Sequence, residues 1–304
     1  MLKDYLKLHF LVFIWGFTAI LGVLITIPAV ETVFYRTLVA SLALGAWTYW
    51  KRGSELAVGR KMALKLLGTG ALIGVHWMLF FSAAEVANAS ITLAGAATCA
   101  FWTSILDPLT NKRKILWYEV AMGLAVVLGL YVIFLFEFDH ALGLALAIGA
   151  ALLAAVFTVI NGRLSNHYHH GVITFYELAG AWLVVTLFLP FYKEYFAEGQ
   201  ALRMSPEGMD WVYLAVLALI CTVYAYAESV ELMKRITPFA MNLTVNMEPV
   251  YGMVLAIFIL GENKELNPGF YIGTGIILLS VLAYPFIKRF HKRKTIHKAV
   301  TQEV

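Results

Sequence analysis

Charge is scarce in this chain. Of 304 residues only 14% are Asp, Glu, Lys or Arg, against about 25% in an average soluble domain. That shortage excludes an ordinary soluble enzyme, a disordered tail and a nucleic-acid-binding domain. Cysteine is scarcer still. Cys99 and Cys221 are the only two, both inside apolar runs, so neither a zinc-ligand pattern nor a secreted disulfide framework is present. They read as small buried hydrophobes. Catalytic signatures are missing too. A GxxxxGK[ST] loop, an HExxH helix and a GxSxG elbow are all absent, which removes P-loop ATP hydrolysis and the corresponding hydrolytic chemistries. Every lysine lies at the end of an apolar run or in a loop, so a retinal Schiff base has no anchor. His167, His169 and His170, in NHYHHG, lack Cys or acidic partners at ligand spacing. No metal or cofactor is expected.

What the chain has is apolar length, at 61% hydrophobic residues. A spanning helix needs about 20 of them. Apolar windows fall at 8–28, 31–50, 64–86, 88–108, 116–136, 141–161, 172–192, 211–232, 238–260 and 268–287. The expected fold is therefore all-α and membrane-integral, with ten transmembrane helices. The break at Ala83–Ser90 is the weakest of those separating them. The first window runs on to Pro28, longer than a cleavable signal, and reads as an uncleaved first helix. The basic residues test the count. With both termini cytoplasmic, all of the 23 Lys and Arg except Arg36, Lys193, Arg203 and Lys264 lie on the inner side, as the positive-inside rule expects. The basic end KRFHKRKTIHK fits the same rule without a lipid or nucleic-acid role.

The halves resemble each other weakly. FTAI at 17–20 recurs as FTVI at 157–160, and VFYRTLVASL at 33–42 recurs as TFYELAGAWL at 174–183. The nearly equal offsets point to a five-helix duplication, with repeats over residues 1–138 and 139–290 and a basic cytoplasmic tail at 291–304. Five is odd, so the second copy is expected to be inverted. Inverted repeats are a common transporter architecture, with the substrate site between them near the midplane. The same offset aligns Arg36 with Glu177.

Several local features resemble a known family. Trp15-Gly16 precedes Phe34-Tyr35-Arg36. Gly143 and Arg163 bracket the sixth window. From Met247 runs MEPVYGMVLAIFILGENKELNPGFYIGTGIILLSVL, an acidic-proline pair opening a helix that ends in Gly-Glu before a glycine-containing last helix. With the 5+5 repeat, these resemble the drug/metabolite transporter superfamily, in its EamA-type branch of ten-helix proteins. The first half departs from that pattern: no proline occurs at Thr98–Phe101, and Asp107-Pro108 stands where Gly-Glu usually ends the helix. The resemblance implies a secondary transporter, often a metabolite exporter, with a central cavity. A homodimer through small-residue helix faces, such as Gly269 and Gly273 or Gly123 and Gly129, fits as well as packing within one chain.

Ionisable groups inside a span are costly and mark function by default. Arg36 offers a guanidinium fork for a substrate carboxylate or phosphate; a structural ion pair or snorkelling is the competing role. Glu248 is expected in the middle of the ninth helix, beside Pro249, where a missing backbone donor frees a carbonyl one turn earlier and favours a cation or proton site. Asn242 and Asn246 approach it on one helical face and suit hydrogen bonding to a polar metabolite. His76 and Trp77 lie mid-helix, His76 as a substrate or proton contact or as a helix-to-helix bond. Glu177 and Glu228 are expected in a gate or coupling role, or paired with inner-loop bases. Glu85, Asp107 and Glu262 are expected to be solvated at the interface. Tyr35, Trp77 and Tyr251 are the favoured cavity aromatics, with Trp15 beside them.

The expected function is export or exchange of a small polar metabolite, such as an amino acid, by alternating access. The coupling would come from protons or from the substrate's own gradient. Nucleobases, organic cations and a lipid-linked substrate are the alternatives. The partners are then the substrate, the bilayer and protons, with no nucleic acid. The expected place is a bacterial inner membrane.

Overall fold

The computed structural model describes residues 2–87, 89–134, 141–197, 199, 201–259 and 268–302. Among them are thirteen α-helices and no strand. In chain order they are α1 (Leu2–Leu24), α2 (Ala29–Arg52), α3 (Arg60–Val86), α4 (Ala89–Ala96), α5 (Thr98–Thr110), α6 (Trp117–Phe134), α7 (Ala141–Leu164), α8 (His170–Tyr195), α9 (Asp210–Ala218), α10 (Ala225–Leu232), α11 (Pro238–Val245), α12 (Glu248–Ile259) and α13 (Pro268–Gln302). A π-helical turn, Leu219–Tyr224, joins α9 to α10.

Among the described residues, seven stretches are long and apolar enough to cross a membrane: Leu2–Gly22, Ala29–Leu56, Arg60–Ala83, Ala141–Leu164, His170–Tyr195, Asp210–Leu232 and Tyr271–His291. Trp117–Val132 is apolar but shorter. The window at 88–108 is divided, with α4 ending at Ala96 and α5 starting at Thr98. The window at 238–260 is divided as well. α11 ends at Val245 and α12 starts at Glu248, so Glu248 opens a half-helix and does not sit in the middle of a continuous one. Pro249 explains this locally. It is tolerated in a first turn, where its missing N–H is no loss. The opposite difference occurs at the end of the chain. The basic tail is no separate element, because α13 continues from the last window through residue 302.

Helix starts follow from short polar signals. Thr237 precedes Pro238, and its side chain accepts from the Ala240 amide at 3.4 Å. His169 opens α8 by accepting from the Gly171 amide at 3.1 Å. Such caps satisfy one of the donors left over at a helix start.

α3 packs between α7 and α8, and α8 also rests on α2. On the other side α1 packs on α12, and α13 on α6. Two glycines set the closest approach. A Cβ on Gly70 would lie 2.1 Å from the Glu177 carbonyl oxygen, and one on Gly180 would lie 2.2 Å from that of Leu67. The backbones of α3 and α8 are therefore in direct contact. Gly129 faces the Gly273 carbonyl, so those two small residues serve packing within one chain. Leu187, Phe258 and Phe286 lie exposed on the outside of the bundle. An aqueous surface would not favour such residues in quantity, whereas a lipid phase does.

Candidate functional site

Basic side chains gather at one end of the bundle. Lys7 of α1 pairs with Glu228 of α10. Arg235 bonds Asp4 at 2.7 Å, and Glu231 takes Lys234 at 2.6 Å and His170 at 3.0 Å. We call this end the basic face. Among the described residues, two open clefts lie there. One, of about 500 Å³, is lined by Asp107, Arg113, Arg163, Lys234 and Arg235 among others. The second, of about 390 Å³, is lined by Trp47, Lys51, Arg52, His170 and Glu228 among others. The opposite end is closed differently. Asp210 accepts from the Thr26 amide at 3.0 Å and from its hydroxyl at 2.6 Å. Tyr35 donates to the Met204 carbonyl at 2.6 Å, and Glu31 accepts from the Arg203 amide at 3.2 Å. The loop after α8 is thereby fastened over α1 and α2.

Between these ends lies a polar centre. Arg36 is the eighth residue of α2 and is buried. Its Nε donates to Thr222 Oγ1 at 2.6 Å. Thr222 sits on the π turn and donates to the Leu217 carbonyl, five residues back, at 2.8 Å. The guanidinium carbon stands 4.3 Å from the centre of the Trp77 ring. A desolvated contact of this type is worth about 2 kcal/mol. Trp15 donates to the Cys221 carbonyl on the same turn at 3.0 Å. Glu248 faces this group from the start of α12, beside Thr18 and within electrostatic reach of Arg36. Arg36, Trp77, Trp15 and Glu248 are thus brought together, and the π turn holds two of them, Arg36 and Trp15. π turns inside α-helices recur at functional sites. Neither cleft of the basic face is lined by any of the four.

The other candidates go elsewhere. His76 places Nδ1 at 2.8 Å from the Ala150 carbonyl. A carbonyl only accepts, so Nδ1 carries the hydrogen and ties α3 to α7. Asn242 donates to Thr103 Oγ1 at 2.7 Å and accepts from Thr158 at 3.4 Å. Asn246 donates to the Asn242 carbonyl at 3.1 Å. This amide pair joins α5, α7 and α11. Tyr251 reaches His9 Nδ1 at 2.9 Å and meets Phe13 edge to face. Tyr35 serves the loop closure described above. Asp107 is 3% exposed, accepts from Asn111 at 2.6 Å and pairs with Arg113. It is a buried cap, and the expectation of interface solvation is corrected. Glu262 lies outside the described residues, as does the Glu85 side chain. Glu177 is fully buried with Asn161 and Tyr226.

Sequence reasoning missed Thr222 and Asn161. One signal was available. A lone Thr or Asn in an apolar helix has to bond something, but its partner belongs to another helix.

The bundle also has relatives. The model of the EamA-like transporter family matches the chain twice, over residues 5–135 and 141–284. The chain belongs to the EamA-like transporter family. It is therefore a transporter, and a multi-pass integral membrane protein. An uncharacterized transporter of Archaeoglobus fulgidus is 24% identical over 263 residues, covering 85% of this chain and 88% of that protein. A protein of known crystal structure matches the fold with a TM-score of 0.76 at 17% identity, over 94% of this chain and 98% of the other. In this EamA-like transporter, the polar centre at Arg36 combines both signs of charge with an aromatic wall.

Proposed function

We propose that this EamA-like transporter exports a small zwitterionic metabolite, an amino acid or a close relative, by alternating access. The observation that carries this reading is the approach of Arg36 and Glu248 against Trp77 inside an apolar bundle. A zwitterion needs a donor fork for its carboxylate and an acceptor for its ammonium. Arg36 supplies the first, since only its Nε is taken by Thr222 and charge-assisted pairs with carboxylates are strong and directional. Glu248 supplies the second. The guanidinium already occupies the Trp77 face, which disfavours a competing organic cation there.

The proposed frame is ten spans in two inverted five-helix repeats, with the basic face towards the cytoplasm of a bacterial cell. α4 with α5, α9 with α10, and α11 with α12 each count as one span. Support comes from the double family match and from α2 and α8, each of which carries its charge at the eighth residue. The break before Glu248 resembles the interrupted helices that hold substrates in inverted-repeat transporters. Export would require the two ends to open in turn. The ion pairs would part on one side, and the Asp210 and Tyr35 bonds on the other.

Thermal-shift titration of the purified protein with neutral amino acids, nucleobases and quaternary amines tests this reading. Amino acids should stabilise the wild type. Arg36→Lys, which keeps the charge but loses the fork, should weaken that binding about 10- to 100-fold, the equivalent of one charged hydrogen bond. Stabilisation by quaternary amines alone would sink the proposal.

A further inference from the structure

Glu177 is bonded from two other helices, α7 and α10. Its side chain is fully buried. One carboxylate oxygen, Oε2, accepts from Asn161 Nδ2 at 3.1 Å and from the Tyr226 hydroxyl at 2.8 Å. Asn161 Nδ2 also donates to the Tyr226 oxygen at 2.8 Å. The other oxygen, Oε1, has no hydrogen-bond partner, and neither has Asn161 Oδ1. The surroundings are apolar, with Leu66, Ile73, Leu164, Ile173 and Val230 clustered about Tyr226.

Each element packed here can be searched for a counter-charge. From α3, the Gly70 backbone abuts the Glu177 carbonyl, Lys65 is exposed, and His76 is committed to Ala150. From α7, Arg163 bonds Asn111 and the Thr110 carbonyl. From α10, Glu228 faces Lys7, and Glu231 faces Lys234 and His170. From α2, Arg36 is held by Thr222 and Trp77. On α8 itself, His170 is bound to Glu231. Among the described residues, no cation reaches Glu177. A buried carboxylate is retained only when something compensates it.

Two orphaned acceptors on two side chains already bonded to each other lack one hydrogen between them. We infer that Glu177, Asn161 and Tyr226 form a proton-binding site. A proton added to Oε1 makes an O–H bond, and that hydroxyl donates to Asn161 Oδ1 while Asn161 Nδ2 continues to donate to Oε2. Acid and amide then close a two-bond ring, and both orphans gain a partner in one step. Release reverses it, returning the proton to water and the negative charge to the carboxylate.

A route and a readout are present in the same helices. His170, Thr174 and Glu177 lie on one face of α8 at spacings of four and three. They lead from the cleft of the basic face to the acid, and Thr174 Oγ1 is itself buried without a partner. On the far side, Tyr226 lies four residues after Thr222, the residue that holds Arg36. Loading of Glu177 thus acts on the same helix as the π turn beneath the charge pair. This coupling rests on the proposed function; proton binding itself does not.

Infrared difference spectroscopy of the protein in lipid, titrated with acid and base and without substrate, decides the first part. The wild type should show the carbonyl band of a buried, hydrogen-bonded carboxylic acid. Glu177→Gln should lose it, Tyr226→Phe should shift it, and Glu248→Gln should keep it. A spectrum unchanged in Glu177→Gln overturns the site. So does a band abolished by sodium, relative to choline, at constant pH, since the orphans would then hold a metal cation. Liposomes with radiolabelled alanine decide the second part. Glu177→Gln should keep alanine exchange and lose its response to an imposed pH gradient. A full response in that variant overturns the coupling. Absence of alanine exchange in the wild type would count against the amino-acid reading and leave the infrared result standing.

Discussion

Arg36 and Glu177 occupy the same place in α2 and α8 but are stabilised in opposite ways. Arg36 is surrounded by a hydroxyl, an indole face and an acid within electrostatic reach, and it keeps donors to spare. Glu177 has two donors on a single oxygen and nothing on the other. The two neighbours of α8 differ as well. Near Glu177, α3 and α8 meet backbone to backbone at Gly70. On the α2 side, α8 is met at Gly45 through the Phe175 ring, which would lie 2.6 Å from an added Cβ. One centre is adaptable and the other is locked. A site that must accommodate a substrate and one that must only hold or release a small charge would divide along this line.

The largest effect should come from the locked wall. Gly70→Ala drives a methyl group into the Glu177 carbonyl, which cannot yield. It should cost about 3 kcal/mol or more. Gly45→Ala meets a ring that can turn, and should cost about 1 kcal/mol. Comparing the thermal unfolding of the two detergent-purified variants checks this, and equal losses would remove the distinction. Next in size is Thr222→Val. It leaves a buried guanidinium donor unpaired, at about 1.5–3 kcal/mol. Tyr226→Phe removes one of two donors to Glu177 and, with the acid protonated so that the bond is neutral, should cost about 1 kcal/mol. A larger loss for Tyr226→Phe would reverse the order and make Glu177 the more dependent centre.

The smallest effect lies at the entrance to α8. His169 accepts from Gly171 only while its ring is neutral. Burial, followed by the neighbouring His170, moves its pKa below the ordinary value. The cap therefore contributes fully above about pH 6.5 and is lost as pH falls through the lowered value. About 1 kcal/mol or less is at stake. His169→Asn, a cap without titration, should flatten that part of the stability profile. A wild-type profile already flat between pH 7 and 5 would contradict the role.

Much of this was readable from sequence. The positions of Arg36, Glu177 and Glu248 stood out because a charge in an apolar run has few ordinary explanations. Helix starts were also visible where a cap or proline marks them, as at Thr237-Pro238. Partners were not readable. Asn242 and Asn246 lie on one face in sequence, but helical spacing does not say which neighbour that face meets. It met Thr103 and Thr158, and the amides became joints between helices. Tyr35 adjoins Arg36 in the chain yet turns to Met204. The π turn at Leu219–Tyr224 left no mark, since ICTVY suits an ordinary helix equally well. The division of the ninth window was half visible. Pro249 announced a disturbance, and only the fold placed Glu248 at the start of the second piece.

The two ends of the bundle are fastened by different forces, and this gives ionic strength a direction. Exposed pairs such as Arg235 with Asp4 are screened by salt over a Debye length of about 8 Å at physiological strength, and each is worth little to begin with. The Asp210 bonds to Thr26 at the other end are short and local, and salt hardly touches them. Concentrated electrolyte therefore loosens one end of the bundle before the other, like a valve with a soluble seal on a single side.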